Sequence, residues 1–214
     1  MGLDGGLYEC VKWALRERNV KVSGKKVAEH REALLSTAKR LLQKRGFGGA
    51  GVVEISREAG LTQGALYSQF KSKDALTVEA YRRAIAEGEA AWRELCETAP
   101  DVLSAFLDAY LCEAQINDPH HGCAMPACVS DVARQDPEIG AVFAEGFRAK
   151  VERLQSALPR NLPPDTARRR VLALACAMVG TVAMARALAT ADPDLAREVI
   201  AAAREELEQL AVRG

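Results

Sequence analysis

Gln63, Tyr67, Ser68 and Gln69 are the residues best equipped for chemistry in the first third of this chain, and the chemistry they suit is recognition. At helical spacing they share one face of a short segment, about 63–70, with Gly64, while Leu61, Ala65, Leu66 and Phe70 take the other. Amide, hydroxyl and phenol groups match the donors and acceptors offered by base edges and phosphates in a major groove. A second short helix precedes it, about 52–59, with Val52, Ile55 and Ala59 turned towards the same interior. Gly60 supplies the positive φ that a sharp turn between two helices requires. Thr62 is placed to cap the second helix. The same spacing also fits a purely structural helix corner with a polar outside. No nucleophile elbow, phosphate loop, HExxH or dinucleotide fingerprint occurs, so an enzyme is not expected.

These residues need a scaffold, and the composition points to an all-α one. The 214 residues are 49% hydrophobic but only 5% aromatic, and no strand-period segment stands out. Net charge is zero, yet its distribution is uneven. Residues 21–83 hold 13 Lys and Arg against 6 Asp and Glu, whereas 84–214 hold 13 against 20. A basic segment beside an acidic one suggests nucleic acid as the partner of the former. Helices are expected at about 28–45, 52–59, 63–70, 73–97, 101–117, 125–134, 137–158, 165–189 and 193–212. Gly46 is placed to end the first, Ser72 to cap the fourth, and Asp192-Pro193 to open the last. Residues 1–23 read as an extension or arm. Six cysteines without a CxxC pair suggest a reduced, cytoplasmic protein. The longest apolar run, 171–185, is too short for a bilayer and flanked by arginines, so no membrane partner is expected.

Residues 31–76 resemble the N-terminal domain of the TetR/AcrR regulators. The resemblance is carried by Arg31, Leu34, Leu35, Ala38, Leu41 and Gly46-Phe47. It continues without a gap through Val52, Ile55, Ala59-Gly60-Leu61-Thr62, Gly64-Ala65-Leu66-Tyr67, Phe70, Ser72-Lys73 and Leu76. It implies a DNA-binding helix-turn-helix domain at 24–76 and a helical ligand-binding and dimerisation domain at 77–214. It further implies a homodimer on a near-palindromic double-stranded operator, released by a small effector. The DNA-facing set is then Lys25, Lys26, Arg31, Thr62, Gln63, Gly64, Tyr67, Ser68, Gln69 and Lys73. Tyr67 resembles the family's phosphate-contacting tyrosine. Lys73 opens a helix whose dipole disfavours a cation, a position that a bound phosphate would explain. Lys25 and Lys26 suit phosphates or a minor-groove arm. Two departures stand out: Gly51 replaces the usual hydroxyl cap of the first reading helix, and Gln69 stands where His is common.

The remainder is less specific. The small residues of 165–189 and the heptad-like Leu195, Val199, Ala202, Ala203, Leu207 and Leu210 suit a dimer interface, or simply a core. Phe106, Tyr110, Met125, Phe143, Phe147 and Met178, with Leu154, are candidates for the wall of a pocket holding a mostly apolar molecule. No cofactor is expected, and no metal: His120, His121, Cys123 and Cys128 lack zinc spacing. A loop Gly122-Cys123 ahead of a helix offers an alternative trigger, a redox- or electrophile-sensitive Cys123, with Cys128 second. Cys123 also fits a plain buried residue.

Overall fold

The computed structural model describes residues 24–49, 51–118, 120 and 122–212. The expected arm at 1–23, with Cys10, lies outside the described residues, as does His121. Among the described residues every regular element is helical. They are α1 (Gly24–Arg45), α2 (Val52–Glu58), α3 (Gln63–Gln69), α4 (Lys73–Thr98), α5 (Val102–Tyr110), α6 (Ala114–Asn117), α7 (Met125–Cys128), a 3-10 turn (Val132–Arg134), α8 (Pro137–Ala157), α9 (Pro164–Leu188) and α10 (Pro193–Val212).

Most boundaries follow local chemistry. Oxygens of Thr62, Ser72, Asp101, Asp136 and Asp192 accept backbone N–H bonds at the starts of α3, α4, α5, α8 and α10. Gly51, having no side chain, caps α2 with backbone alone. Gly46 and Gly60 take φ of 73° and 69°, and are the only positive-φ residues among those described. At Gly46 a Cβ would also lie 2.3 Å from the Ala127 carbonyl oxygen, so close approach adds to the conformational demand.

Three boundaries depart from the sequence reading. α1 begins at Gly24, four residues early, which places Lys25 and Lys26 in a helical first turn instead of an extended arm. The expected helix at 101–117 divides into α5 and α6. Leu111 leaves helical backbone (φ −101°, ψ 67°) and is buried, a tertiary demand that overrides a continuous helical pattern. The expected helix at 125–134 shrinks to α7 and the 3-10 turn. The chain turns there so that Asp131 accepts the Gly48 N–H at 3.1 Å, tying this segment to the loop after α1.

Three cores organise the packing. The first holds α1–α3 and the start of α4 together through Leu34, Leu35, Ala38, Leu41, Ile55, Leu66, Phe70, Leu76 and Ala80. Each fully buried leucine of this kind stabilises by about 1.5–3 kcal/mol. The largest lies among α5, α8, α9 and α10. Between them Leu42, Phe47, Val78, Tyr81, Ala124, Cys128, Ile139 and Val142 form a third, which joins the two ends of the molecule. α9 is long and apolar enough by composition to cross a bilayer. Here Val171, Leu174, Ala175, Met178, Val182 and Ala185 sit in the centre of the largest core.

Candidate nucleic-acid interface and buried cavity

α3 is held from behind and bare in front. Leu66 is fully buried, whereas Gln63, Gly64, Tyr67 and Ser68 are exposed and Gln69 half-buried. Tyr67 keeps 55% of its surface, unusual for an aromatic residue with apolar surface to hide. The Ser68 hydroxyl donates to the Ala65 carbonyl at 2.7 Å and the Thr62 hydroxyl caps the helix at 3.1 Å, so both oxygens are oriented from within. Lys73, at the first position of α4, is half-buried, borders a small cleft with Gly46, Phe47 and Ile55, and makes no ion pair among the described residues.

Arg31, one of the residues expected to face DNA, is engaged within the fold. It pairs with Glu79, donates to the Gln69 carbonyl at 3.0 Å, and stacks over Phe70 with its guanidinium carbon 4.3 Å from the ring centroid. One side chain of α1 thereby fixes the end of α3 against α4. Its charge is already paired, so it positions the reading helix.

Behind this head lies a cavity of about 240 Å³. Its wall combines Gln43 of α1, Tyr81, Ile85, Trp92 and Leu95 of α4, Phe106 and Tyr110 of α5, Gly122 to Met125, and Gly146, Lys150 and Arg153 of α8. Exposed Glu87, Gly88 and Ala91 border it on the solvent side. Gln43 donates to the Gly122 carbonyl at 2.6 Å, and Arg186 of α9 donates to the Gln115 carbonyl at 2.7 Å, so the cavity loop is pinned to both α1 and α9. Burial pushes the phenols of Tyr81 and Tyr110 well above their usual range, and pushes Lys150 below its own.

Residues 34–80, which span the core behind α3, match the family model for bacterial regulatory proteins of the tetR family. Over that stretch the chain is similar to the N-terminal region of tetR-family regulators. Over 52 residues it is 42% identical to the uncharacterized HTH-type transcriptional regulator YerO of Bacillus subtilis, covering 24% of this chain and 18% of that one. Over 124 residues it is 26% identical to the HTH-type transcriptional regulator LmrA of the same organism, covering 56% and 66%. The chain thus spans less than two thirds of either relative's length. A TetR-family regulator from Agrobacterium tumefaciens shares the fold, with a TM-score of 0.73 at 21% identity over 87% of this chain and 100% of that one.

The packing separates the other sequence candidates. Phe106, Tyr110 and Met125 do line the cavity. Phe143, Phe147 and Met178 do not: Phe143 stacks on Tyr81 at 6.0 Å, Phe147 packs against the large core, and Met178 is wholly enclosed in it with Leu154. Aromatic and Met side chains at helical spacing look alike from the sequence, and only the packing separates core from wall. Cys123 is half-buried in the wall. The helix that follows it, α7, has four residues, too few for a dipole that would stabilise a thiolate. Cys128 is fully buried and its thiol is pushed far up by desolvation, so it is not a second reactive site. Cys96 and Cys176 are the exposed thiols among those described.

Lys150 was missed, although a signal existed. It stands four residues after Gly146, eight after Val142 and four before Leu154, on the buried stripe of α8. A lysine on that stripe is a charge placed in the interior.

Proposed function

We propose that this chain is a homodimeric, cytoplasmic repressor that leaves its operator when a small molecule fills the cavity. The observation that carries this reading is the shared wall. α4 begins in the core behind α3 with Leu76 and Ala80, and ends in the cavity with Trp92 and Leu95. Gln43, near the end of α1, reaches the same cavity. A ligand that shifts either element moves the reading head with it. Gln63, Gly64, Tyr67, Ser68 and Gln69 face bases and phosphates, Thr62 presents its hydroxyl oxygen at the same edge, and Lys25, Lys26 and Lys73 contact phosphates. The division at about residue 76 is functional; the bridging core makes the two parts mechanically continuous.

The dimer forms through α9 and α10. Ala173, Cys176, Gly180 and Met184 recur at helical spacing on the exposed side of α9, and Leu195 and Leu210 are exposed on α10. Gly180 has open space where a side chain would stand, which lets a partner helix approach. Ala175, Val179 and Ala185, by contrast, belong to the protomer's own core. Two-fold symmetry sets the reading helices about one DNA turn (~34–36 Å) apart. Light scattering checks the dimer: a monomer at micromolar concentration would remove it. A gel shift on the neighbouring intergenic DNA, with and without candidate compounds, tests release.

A second reading keeps the regulator and changes the trigger. Cys123 faces the cavity, so an electrophile admitted there meets a thiol. Brief, limiting alkylation followed by mass spectrometry is expected to mark Cys123 ahead of the more exposed Cys96 if this holds, Cys176 being covered in the dimer. Labelling that simply follows exposure retires it.

A further inference from the structure

We propose that the cavity's occupant is an organic carboxylate, its charged head paired with Lys150 and its apolar body against Trp92, Phe106 and Met125. This rests on the reading of the cavity as the effector site and supplies the chemical class, adding a charged head to the apolar molecule expected from the sequence.

Lys150 is 4% exposed and lines the cavity. Among the described residues its ammonium has no carboxylate partner. The one carboxylate among the described wall residues, Glu87, is tied to Lys39 at 2.6 Å and to Arg83 at 3.3 Å. Two ring faces approach the ammonium instead, Tyr110 at 4.0 Å and Phe106 at 5.3 Å from their centroids. Ring faces stabilise a buried cation only partly, and a buried charge without a counter-ion is costly. Natural cores rarely retain such a group without use.

A second, independent observation points the same way. Seven buried side-chain polar atoms lack a hydrogen-bond partner among the described residues, and four belong to the cavity wall: Gln43 Oε1, Tyr81 Oη, Tyr110 Oη and Arg153 Nε. Three of those four can donate, the two phenols being able to accept as well. With Lys150 and the Arg153 guanidinium they give the wall several donors free to meet a carboxylate. Arg153, whose other nitrogen holds Glu89 at 3.2 Å, adds positive potential at the rim. Cationic ligands are excluded by the same field. The volume suits a fused bicyclic ring or a body of similar size.

The test uses the full-length protein and three probes of one shape: naphthalene-2-carboxylate, naphthalene-2-carboxamide and 2-naphthylmethylammonium, titrated by calorimetry. A charged hydrogen bond in a buried site predicts carboxylate binding about 10–100-fold tighter than the amide, with no detectable binding of the ammonium. Lys150→Met is expected to remove that preference while leaving the amide's affinity within about threefold, and Lys150→Arg to retain the ranking. Circular dichroism confirms that each variant is folded. Equal affinities for carboxylate and amide overturn the proposal. So does a preference that survives in Lys150→Met, or the failure of all three probes at concentrations on the order of 1 mM. A gel shift separates this from the wider reading. Carboxylate that binds without releasing DNA removes the effector role and leaves the anion site standing. Release by neutral compounds with no charge preference removes the anion site alone.

Discussion

The reading head and the cavity treat polar groups in opposite ways. On α3 the polar atoms are oriented by short bonds within the helix and then left facing water, where they cost nothing until DNA arrives. In the cavity, Lys150, Tyr81, Tyr110, Gln43 and Arg153 are withdrawn from water without full compensation. The first arrangement suits a polyanion met at the surface through many weak, salt-sensitive contacts. The second holds a few strong donors in low dielectric, where one matching acceptor changes the balance. A switch needs both: a rigid surface that recognises, and an interior whose unliganded state is poorly satisfied.

The largest effect should come from the core behind the head. Leu66→Ala is expected to cost about 2–5 kcal/mol in urea denaturation. Because the bridging core joins both ends, circular dichroism should still show one transition. Two separated transitions would break the comparison, by making the regions independent.

Lys150→Met sharpens the contrast directly. It should stabilise the ligand-free protein, on the scale of the ~1–4 kcal/mol seen when buried ion pairs give way to apolar groups of similar size. The sign follows from titration. Burial lowers the lysine's pKa in the folded state, so between that value and its ordinary one the unfolded chain binds more protons. The wild type therefore gains stability relative to the variant as pH rises through that window. The gap should be widest below the folded-state pKa and close near the ordinary lysine value, about 10.4. A gap that stays constant with pH would show that the cost of Lys150 is steric.

On the surface the effects are smaller and differ in kind. Replacing Gln63 by Ala should change affinity by about 1–3 kcal/mol at one or two operator positions only, measured on a panel of single-base variants. Lys73→Ala should weaken all sequences alike and flatten the salt dependence by about one unit of log–log slope. Sequence-selective loss on removing Lys73 would mean that it reads bases.

What the sequence determined by itself is the set of features whose cause lies within four residues or one helix period. Thr62, Ser72, Asp136 and Asp192 cap as their positions dictate, Gly46 and Gly60 turn, and Leu34, Ile55, Leu66 and Phe70 form the core of the head. Tertiary structure decided what depends on partners far along the chain. Arg31 became a clamp because Gln69, Phe70 and Glu79 converge on it. Phe143 and Met178 went to cores while Phe106 and Met125 faced a void, a difference that hydrophobicity cannot encode. The break at Leu111 follows from what it packs against. Lys150 shows the limit most clearly. Its place on the buried stripe is readable from periodicity, but only the fold shows that no carboxylate among the described residues meets it there, because a charge is compensated by whatever surrounds it in space.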